Sequence, residues 1–146
     1  MSGQLILLVE DRDDDVELTL RAFSRSPIAN EIVVAHDGEE ALDYIFATGS
    51  HAGRDPSRSP SVVLLDLNLP KVDGLSVLRA LRDDARTRRM PVVVLTSSNE
   101  ERDVVSSYEL GANSFVRKPV DFAEFVDAAH TLGLYWLVMN QRPLGD

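Results

Sequence analysis

Residues 62–74, VVLLDLNLPKVDG, decide the fold of this 146-residue chain. Four apolar residues lead directly to Asp66, and residues that favour turns follow it. A continuous apolar run indicates a strand that is buried on both faces, as in a parallel sheet covered by helices, because a half-exposed strand would alternate apolar and polar residues. A carboxylate at the end of such a strand is typical of a site at the carboxyl edge of the sheet.

Strand-like runs rich in Val, Ile and Leu recur along the chain, at residues 5–9, 31–35, 61–65, 91–95 and 114–116. The segments between them place apolar residues at helical spacing, so one face of each helix is expected to cover the sheet. Two of these predicted core faces consist of Val16, Leu20 and Phe23, and of Val104, Val105 and Tyr108. We predict an α/β domain with a doubly wound, five-stranded parallel sheet.

A single domain, residues 1–146, is expected, because a chain of this length with 44% hydrophobic residues supplies one compact core. Residues 48–60, TGSHAGRDPSRSP, are predicted to form a mobile surface loop inserted between the second helix and the third strand. The last helix is predicted to continue into a C-terminal extension, residues 132–146, without an output domain behind it.

Charge and composition exclude several classes of protein. A net charge of −9 opposes binding to nucleic acid or to anionic membranes. The absence of cysteine excludes disulfides and thiolate metal sites. The apolar run at residues 5–9 is too short for a signal peptide or a membrane span, and no basic segment precedes it. We therefore expect a cytoplasmic protein.

The polar residues that follow the predicted strands form one set: Glu10, Asp11, Asp66, Thr96 and Lys118. Because the carboxyl ends of parallel strands meet at one edge, these side chains should surround one cavity. Three adjacent carboxylates repel one another unless a cation joins them. Mg²⁺ is the preferred ion, since it takes oxygen ligands and keeps several waters. Calcium is the lesser choice, because DRDDD at residues 11–15 does not continue as an EF-hand loop.

Such a cation, together with Lys118, would let Asp66 attack a phosphoryl group and hold it as an acyl phosphate. The phosphoryl oxygens would then need hydrogen-bond donors. The Thr96 hydroxyl and the Ser97 backbone amide follow the fourth strand and are the candidates.

Four motifs in order make the chain resemble the receiver domains of two-component response regulators, the CheY-like family. They are VED at residues 9–11, LLDLNLPKVDG at 64–74, LTSS at 95–98 and FVRKP at 115–119. The resemblance covers residues 4 to about 130. It implies a flavodoxin-like (βα)5 fold and a phosphoryl group received from a sensor histidine kinase. The domain would promote its own phosphorylation and dephosphorylation and would not be an enzyme in the usual sense.

The resemblance also implies roles for individual residues. Asp66 would be the phosphoacceptor, and Asp11 and Glu10 would hold Mg²⁺, Glu10 usually through water. The other implied roles are a metal-binding backbone carbonyl at Asn68, a hydroxyl and aromatic switch at Thr96 and Phe115, a phosphate partner at Lys118 and a cis peptide bond before Pro119. Phe115 departs from the frequent tyrosine, so packing alone would hold its inward state. The acid pair is Glu-Asp, a common variant of Asp-Asp.

The insertion and the tail further resemble the small stand-alone response regulators of bacterial phytochrome histidine kinases. Nearly every residue from 132 to 139 is apolar, which is more than one face of a helix can bury. Exposed apolar patches usually mark an interface, so we expect a symmetric homodimer that uses Leu134, Tyr135 and Val138. The alternative is that the last helix folds over its own domain.

Two other functions compete with this one. A phosphatase of the haloacid dehalogenase type also uses an aspartate and Mg²⁺, but it needs a second acid two residues later, where Asn68 stands. A flavodoxin-like flavin or nucleotide binder needs a glycine-rich phosphate loop after the first strand, where EDRDDD stands at residues 10–15.

The remaining polar residues are interpreted as structural. They are Asp13, Asp14 and Asp15 at the positive end of the first helix, Asp73 and Gly74 at a turn and helix start, and His36, His51 and His130 as ordinary surface or boundary residues.

Overall fold

Five parallel strands form the central sheet of the protein. The structure is a computed structural model, and it describes residues 4–24, 30–55, 58–67, 69–96, 101–117, 124 and 127. The strands are β1 Gln4–Val9, β2 Asn30–Ala35, β3 Val62–Leu65, β4 Val92–Thr96 and β5 Ser114–Arg117, in the spatial order β2-β1-β3-β4-β5. The helices are α1 Asp13–Ser24, α2 Gly38–Phe46, α3 Gly74–Asp83 and α4 Glu101–Glu109, with a 3-10 turn at Gly49–His51. The predicted doubly wound fold is confirmed, while the predicted C-terminal extension, residues 132–146, lies outside the described residues. No helix within these ranges combines the length and the apolar character that crossing a membrane requires.

The two faces of the sheet carry separate hydrophobic cores, because successive side chains of a strand point to opposite sides. On one face, Leu7 belongs to a cluster that includes Leu78 of α3. On the other face, Leu8 belongs to a cluster that includes Phe23 of α1. Strand β3 is buried along its whole length, as its continuous apolar run predicted.

Leu20 of the predicted α1 core face and Tyr108 of the predicted α4 core face are exposed, so the prediction is wrong at these two positions. Leu20 is 37% exposed, whereas the neighbouring Thr19 is buried and its hydroxyl donates to the backbone carbonyl of Asp15 at 2.8 Å. Because this bond satisfies the hydroxyl, threonine can occupy a buried position next to a leucine that faces solvent. Tyr108 is 51% exposed, whereas the adjacent Ser107 is fully buried. In each helix a small hydroxyl residue is buried next to a larger predicted core residue that is exposed, whereas Phe23 of the predicted α1 face is buried.

Helices α2 and α3 begin in the same way. Asp37 Oδ1 accepts the backbone N–H of Glu40 at 2.7 Å, and Asp73 Oδ1 accepts that of Ser76 at 2.9 Å. Each aspartate thereby satisfies an N–H group that the first turn of a helix leaves unpaired. The interpretation of Asp73 as a helix start is confirmed.

Arg82 joins α3 to the loops at the amino ends of β4 and β5. Its guanidinium donates hydrogen bonds to the backbone carbonyls of Met90 and Gly111 at 2.7 and 2.9 Å, and to Asn113 Oδ1 at 3.1 Å. The same Asn113 oxygen accepts the backbone N–H of Val92 at 2.8 Å. Burial lowers the pKa of Arg82 from its ordinary value. One guanidinium thus ties together the edge of the sheet that faces away from the predicted site.

The insertion predicted at residues 48–60 packs against α2 through its own side chains. His51 Nε2 lies 3.2 Å from Glu40 Oε2, and the other oxygen of Glu40 accepts the backbone N–H of His36 at 2.9 Å. The guanidinium of Arg54 lies 4.1 Å from the ring centre of Tyr44, which is a cation–π contact. His36 and His51 are therefore partners of one carboxylate, a relation that their sequence positions did not indicate.

The substitution Glu40→Gln is expected to lower the free energy of unfolding at neutral pH. It should also make this free energy less dependent on pH in the acid range. Burial by itself would raise the pKa of the Glu40 carboxyl, but hydrogen bonds with His36 and His51 bring this pKa below its ordinary value. The carboxylate therefore stabilises the fold above its unfolded pKa, and this contribution is lost as the pH falls through the lower, folded pKa.

Urea unfolding at neutral pH should give a free energy of unfolding that is about 1 kcal/mol lower for the variant than for the wild-type protein. The loss should shrink at acid pH, below the lowered pKa of the folded carboxyl, because the protonated wild-type side chain no longer carries its charge. Glu109→Gln, at the exposed end of α4, is the control and should change little. A loss of the same size at both pH values would contradict the assignment.

The substitution Ser107→Ala is expected to stabilise the protein. The Ser107 hydroxyl is buried in α4 and has no hydrogen-bond partner among the described residues. A buried polar group without a partner costs roughly 1–3 kcal/mol, so its removal should raise the free energy of unfolding by about 1 kcal/mol. Urea unfolding of Ser107→Ala beside Ser106→Ala, its less buried neighbour, measures the difference. Equal stability of the two variants would mean that the hydroxyl is satisfied.

Candidate functional site

Three carboxylates meet at the carboxyl edge of the sheet. Glu10 and Asp11 follow β1, and Asp66 follows β3. These strands are paired in parallel with Val9 opposite Leu65, so the residues that leave them arrive at the same place. Carboxylate oxygens of the three acids lie within 4.8 Å of one another. The parallel register therefore creates a concentrated negative charge.

Backbone hydrogen bonds of the sheet extend to two of the three acids, Glu10 and Asp66. The N–H of Glu10 donates to the carbonyl of Ala35 at 3.0 Å, and the N–H of Asp66 donates to the carbonyl of Val9 at 3.1 Å. These bonds continue the sheet by one residue beyond the regular strands. The Glu10 carboxylate is further oriented by the backbone N–H of Arg12, which donates to its Oε2 at 3.3 Å.

The three acids differ in their exposure to solvent. Glu10 is 1% exposed and Asp66 is 5% exposed, whereas Asp11 lies on the surface. Burying like charges side by side is unfavourable unless a cation compensates them. The donors that these three acids offer are carboxylate oxygens, which suit a hard divalent ion, and the exposed Asp11 provides contact with solvent. The residues present therefore fit a divalent metal centre.

The loop after Asp66 is held closely against the start of α3. The backbone carbonyl of Leu67 accepts the N–H of Leu69 at 3.2 Å and that of Gly74 at 3.0 Å. A side chain at Gly74 would collide with the Asp66 carbonyl oxygen, so this approach requires glycine. The start of α3 thus determines where the chain runs as it leaves the site.

The other residues predicted at the site are described only in part. Thr96 ends β4, where it pairs with Arg117, and Phe115 lies in β5 opposite Val94. The remaining predicted positions lie outside the described residues: Asn68, Ser97, Lys118, Pro119, Leu134, Tyr135 and Val138.

One residue of this region was not found by sequence reasoning. Lys71 has a positive φ of 66°, and its Nζ lies 3.7 Å from both Asp37 Oδ2 and Glu39 Oε1 at the start of α2. Lysine has no preference for this backbone region, and its two partners precede it by more than thirty residues. Neither composition nor periodicity could have indicated the contact.

Comparison with protein families gives a match over most of the chain. The model of the response regulator receiver domain matches residues 6–130. Response regulator Rcp1 of Synechocystis sp. is 36% identical over 134 residues, which cover 92% of this chain and 89% of Rcp1.

Solved structures with the same fold include three response regulators. The Mn²⁺-bound form of Rcp1 has a TM-score of 0.86 at 34% identity, and the alignment covers 96% of this chain and 99% of the Rcp1 chain. The phosphorylated cyanobacterial phytochrome response regulator RcpA has a TM-score of 0.89 at 34% identity, with coverage of 97% and 99%. The bacteriophytochrome response regulator RtBRR is 52% identical, with a TM-score of 0.78 and coverage of 99% and 86%.

The substitution Asp11→Asn is expected to weaken the binding of a divalent cation by about tenfold or more, because it removes one of three charged ligands and leaves the fold intact. Isothermal titration with Mg²⁺ and with Mn²⁺ measures the change. Asp14→Asn is the matched control, since Asp14 is an exposed aspartate in the first turn of α1 outside the cluster. Equal affinities of the two variants would remove Asp11 from the metal site.

Proposed function

Because the chain belongs to the response regulator receiver domains of two-component systems, we propose that Asp66 is its phosphoacceptor and that a sensor histidine kinase is the donor. Receiver domains accept a phosphoryl group on an aspartate, and the observation that supports Asp66 in this role is its place in the carboxylate cluster. It is the acid of the cluster that follows the central strand β3. Its burial removes competing water from the carboxylate.

The proposed transfer is a substitution at phosphorus. A carboxylate oxygen of Asp66 attacks the phosphoryl group carried by a histidine of the kinase. The new P–O bond forms as the P–N bond breaks, and the leaving imidazole keeps the electron pair and takes up a proton. The product is an acyl phosphate, which water later cleaves at phosphorus to return the Asp66 carboxylate.

Glu10, Asp11, Asp66 and the backbone carbonyl of Asn68 would hold a divalent cation, proposed to be Mg²⁺. The cation would neutralise charge on the phosphoryl oxygens as they approach the acids. The protein's own contribution is orientation. The Arg12 N–H holds the Glu10 carboxylate, and the continued ladder holds the backbone of Glu10 and Asp66, so little reorganisation is needed before transfer.

The response to phosphorylation is proposed to follow the pattern of the family. Thr96 and the Ser97 amide would donate to the phosphoryl oxygens, Lys118 would pair with them, and Phe115 would change rotamer with Thr96. The binding preference of the surface formed by α4, β5 and the segment after it would then change. A phosphoryl group can shift this equilibrium only through contacts that differ between the two states.

The kinase partner is proposed to be of the phytochrome type. The bacteriophytochrome response regulator RtBRR and the cyanobacterial phytochrome response regulator RcpA align with nearly all of this chain. The homodimer through Leu134, Tyr135 and Val138 remains a proposal from the apolar tail. Both proposals concern partners, and neither is needed for the chemistry at Asp66.

The substitution Asp66→Asn is expected to abolish phosphorylation. Wild-type protein incubated with acetyl phosphate and Mg²⁺ should gain the mass of one phosphoryl group, because the buried carboxylate is the nucleophile, and a carboxamide in its place cannot perform the attack. Intact-mass spectrometry reads the result. Asp83→Asn, at the exposed end of α3, is the control and should be labelled like wild type. Equal labelling of Asp66→Asn and wild type would exclude Asp66 as the acceptor.

A further inference from the structure

The loop from Asp66 to α3 touches the start of α2 as well as the start of α3. The N–H of Gly38 donates to the carbonyl of Pro70 at 3.5 Å. A side chain at Gly38 would collide with the backbone carbonyl of Val72, so the two segments are in direct backbone contact. The loop that leaves the acid cluster is therefore held between two helix starts.

Lys71 stands at the centre of this contact in an unfavourable backbone conformation. Its φ of 66° lies in the left-handed region, where the Cβ of an L-residue is crowded. Such a conformation persists only where the surrounding structure determines it. Among the described residues, Ala47 is the other non-glycine residue with a positive φ, and it lies at the C-terminal end of α2.

The side chain of Lys71 reinforces the contact. Its ammonium lies 3.7 Å from Asp37 Oδ2 and 3.7 Å from Glu39 Oε1. Asp37 uses its other oxygen to accept the N–H of Glu40 and so caps α2. The Lys71 and Glu39 side chains are 59% and 62% exposed, so solvent and salt weaken their attraction. The backbone conformation at Lys71 therefore contributes more than its ammonium group to the position of the loop against α2.

We propose that Lys71 is a positioning residue for the metal centre, acting through the backbone of the loop that it shares with Asp66. Its left-handed conformation, fixed against the start of α2, sets the course of the chain between the acid cluster and α3. The inference rests on the proposed function, since the loop includes Asn68, the proposed source of a backbone ligand. Lys71 itself contacts neither the metal nor the phosphoryl group.

A series of substitutions at position 71 tests this by changing the ease of the left-handed conformation. Glycine and asparagine adopt it readily, alanine less readily, and β-branched valine least. None of the four replacements carries the ammonium group, so differences in Mg²⁺ affinity among them reflect the backbone conformation at position 71. Mg²⁺ affinity by titration calorimetry should stay within about threefold of wild type for Lys71→Gly and Lys71→Asn, which lose only screened ion pairs. It should fall by about tenfold for Lys71→Val, with Lys71→Ala between them.

Ala47→Val is the matched control, because it places the same β-branched residue in the left-handed region away from the loop. It should lower the urea midpoint like Lys71→Val but leave Mg²⁺ affinity unchanged. Phosphorylation by acetyl phosphate, measured at low and at saturating Mg²⁺, should show the defect of Lys71→Val mainly at low Mg²⁺. Should Lys71→Val fail to fold, the comparison of Lys71→Ala with Lys71→Asn carries the same test.

A flat series, with equal Mg²⁺ affinity in all folded variants, would overturn the positioning role. So would an equal loss of affinity in Ala47→Val. Failure of the proposed function looks different, because the wild-type protein itself would then bind no Mg²⁺ or take no phosphoryl group.

Discussion

Electrostatic repulsion among Glu10, Asp11 and Asp66 is the constraint on which the structure around the site depends. The parallel register of β1 and β3 ends both strands at the same level, so Glu10 and Asp66 cannot separate unless backbone hydrogen bonds break. Two of the three are buried, where water cannot screen them. A sheet with a continuous apolar interior supplies the rigidity that keeps like charges close together. The same arrangement fits a divalent cation, which the proposed phosphoryl chemistry would use.

Different kinds of hydrogen bond hold the two edges of the sheet. At the amino edge, one partly buried guanidinium, Arg82, gathers carbonyl and amide oxygens and holds the loops around β4 and β5. At the carboxyl edge, backbone hydrogen bonds hold Glu10 and Asp66 in place, and the loop after Asp66 contacts the starts of the helices on either side of it. Aspartate followed by glycine at positions 37–38 and 73–74 begins both helices that bound this loop. Each aspartate caps its helix, and each glycine lets the loop backbone approach.

Hydrophobic runs predicted the sheet because burial on both faces leaves a strong pattern in the sequence. The gathering of Glu10, Asp11 and Asp66 followed from the strand ends alone. Helix faces were less predictable: Leu20 is exposed because a threonine that bonds its own helix backbone takes the buried position beside it. The contacts of Glu40 with His51 and of Lys71 with Asp37 depend on how distant segments approach, and side-chain types do not encode such approaches. The roles of Thr96, Phe115 and Lys118 continue to rest on the family pattern.

The exposure of Asp11 beside two buried acids affects how a cation would exchange between the site and solvent. Asp11 would offer a divalent cation a solvent-exposed carboxylate, and Glu10 and Asp66 would hold it from the buried side, so the ion could keep part of its water shell. A cation held as proposed would then exchange with solvent without a backbone rearrangement, and the resting occupancy of the centre would follow the concentration of free ion in its surroundings. Readiness for phosphorylation would then depend on the ionic composition of the cell as well as on the state of the kinase.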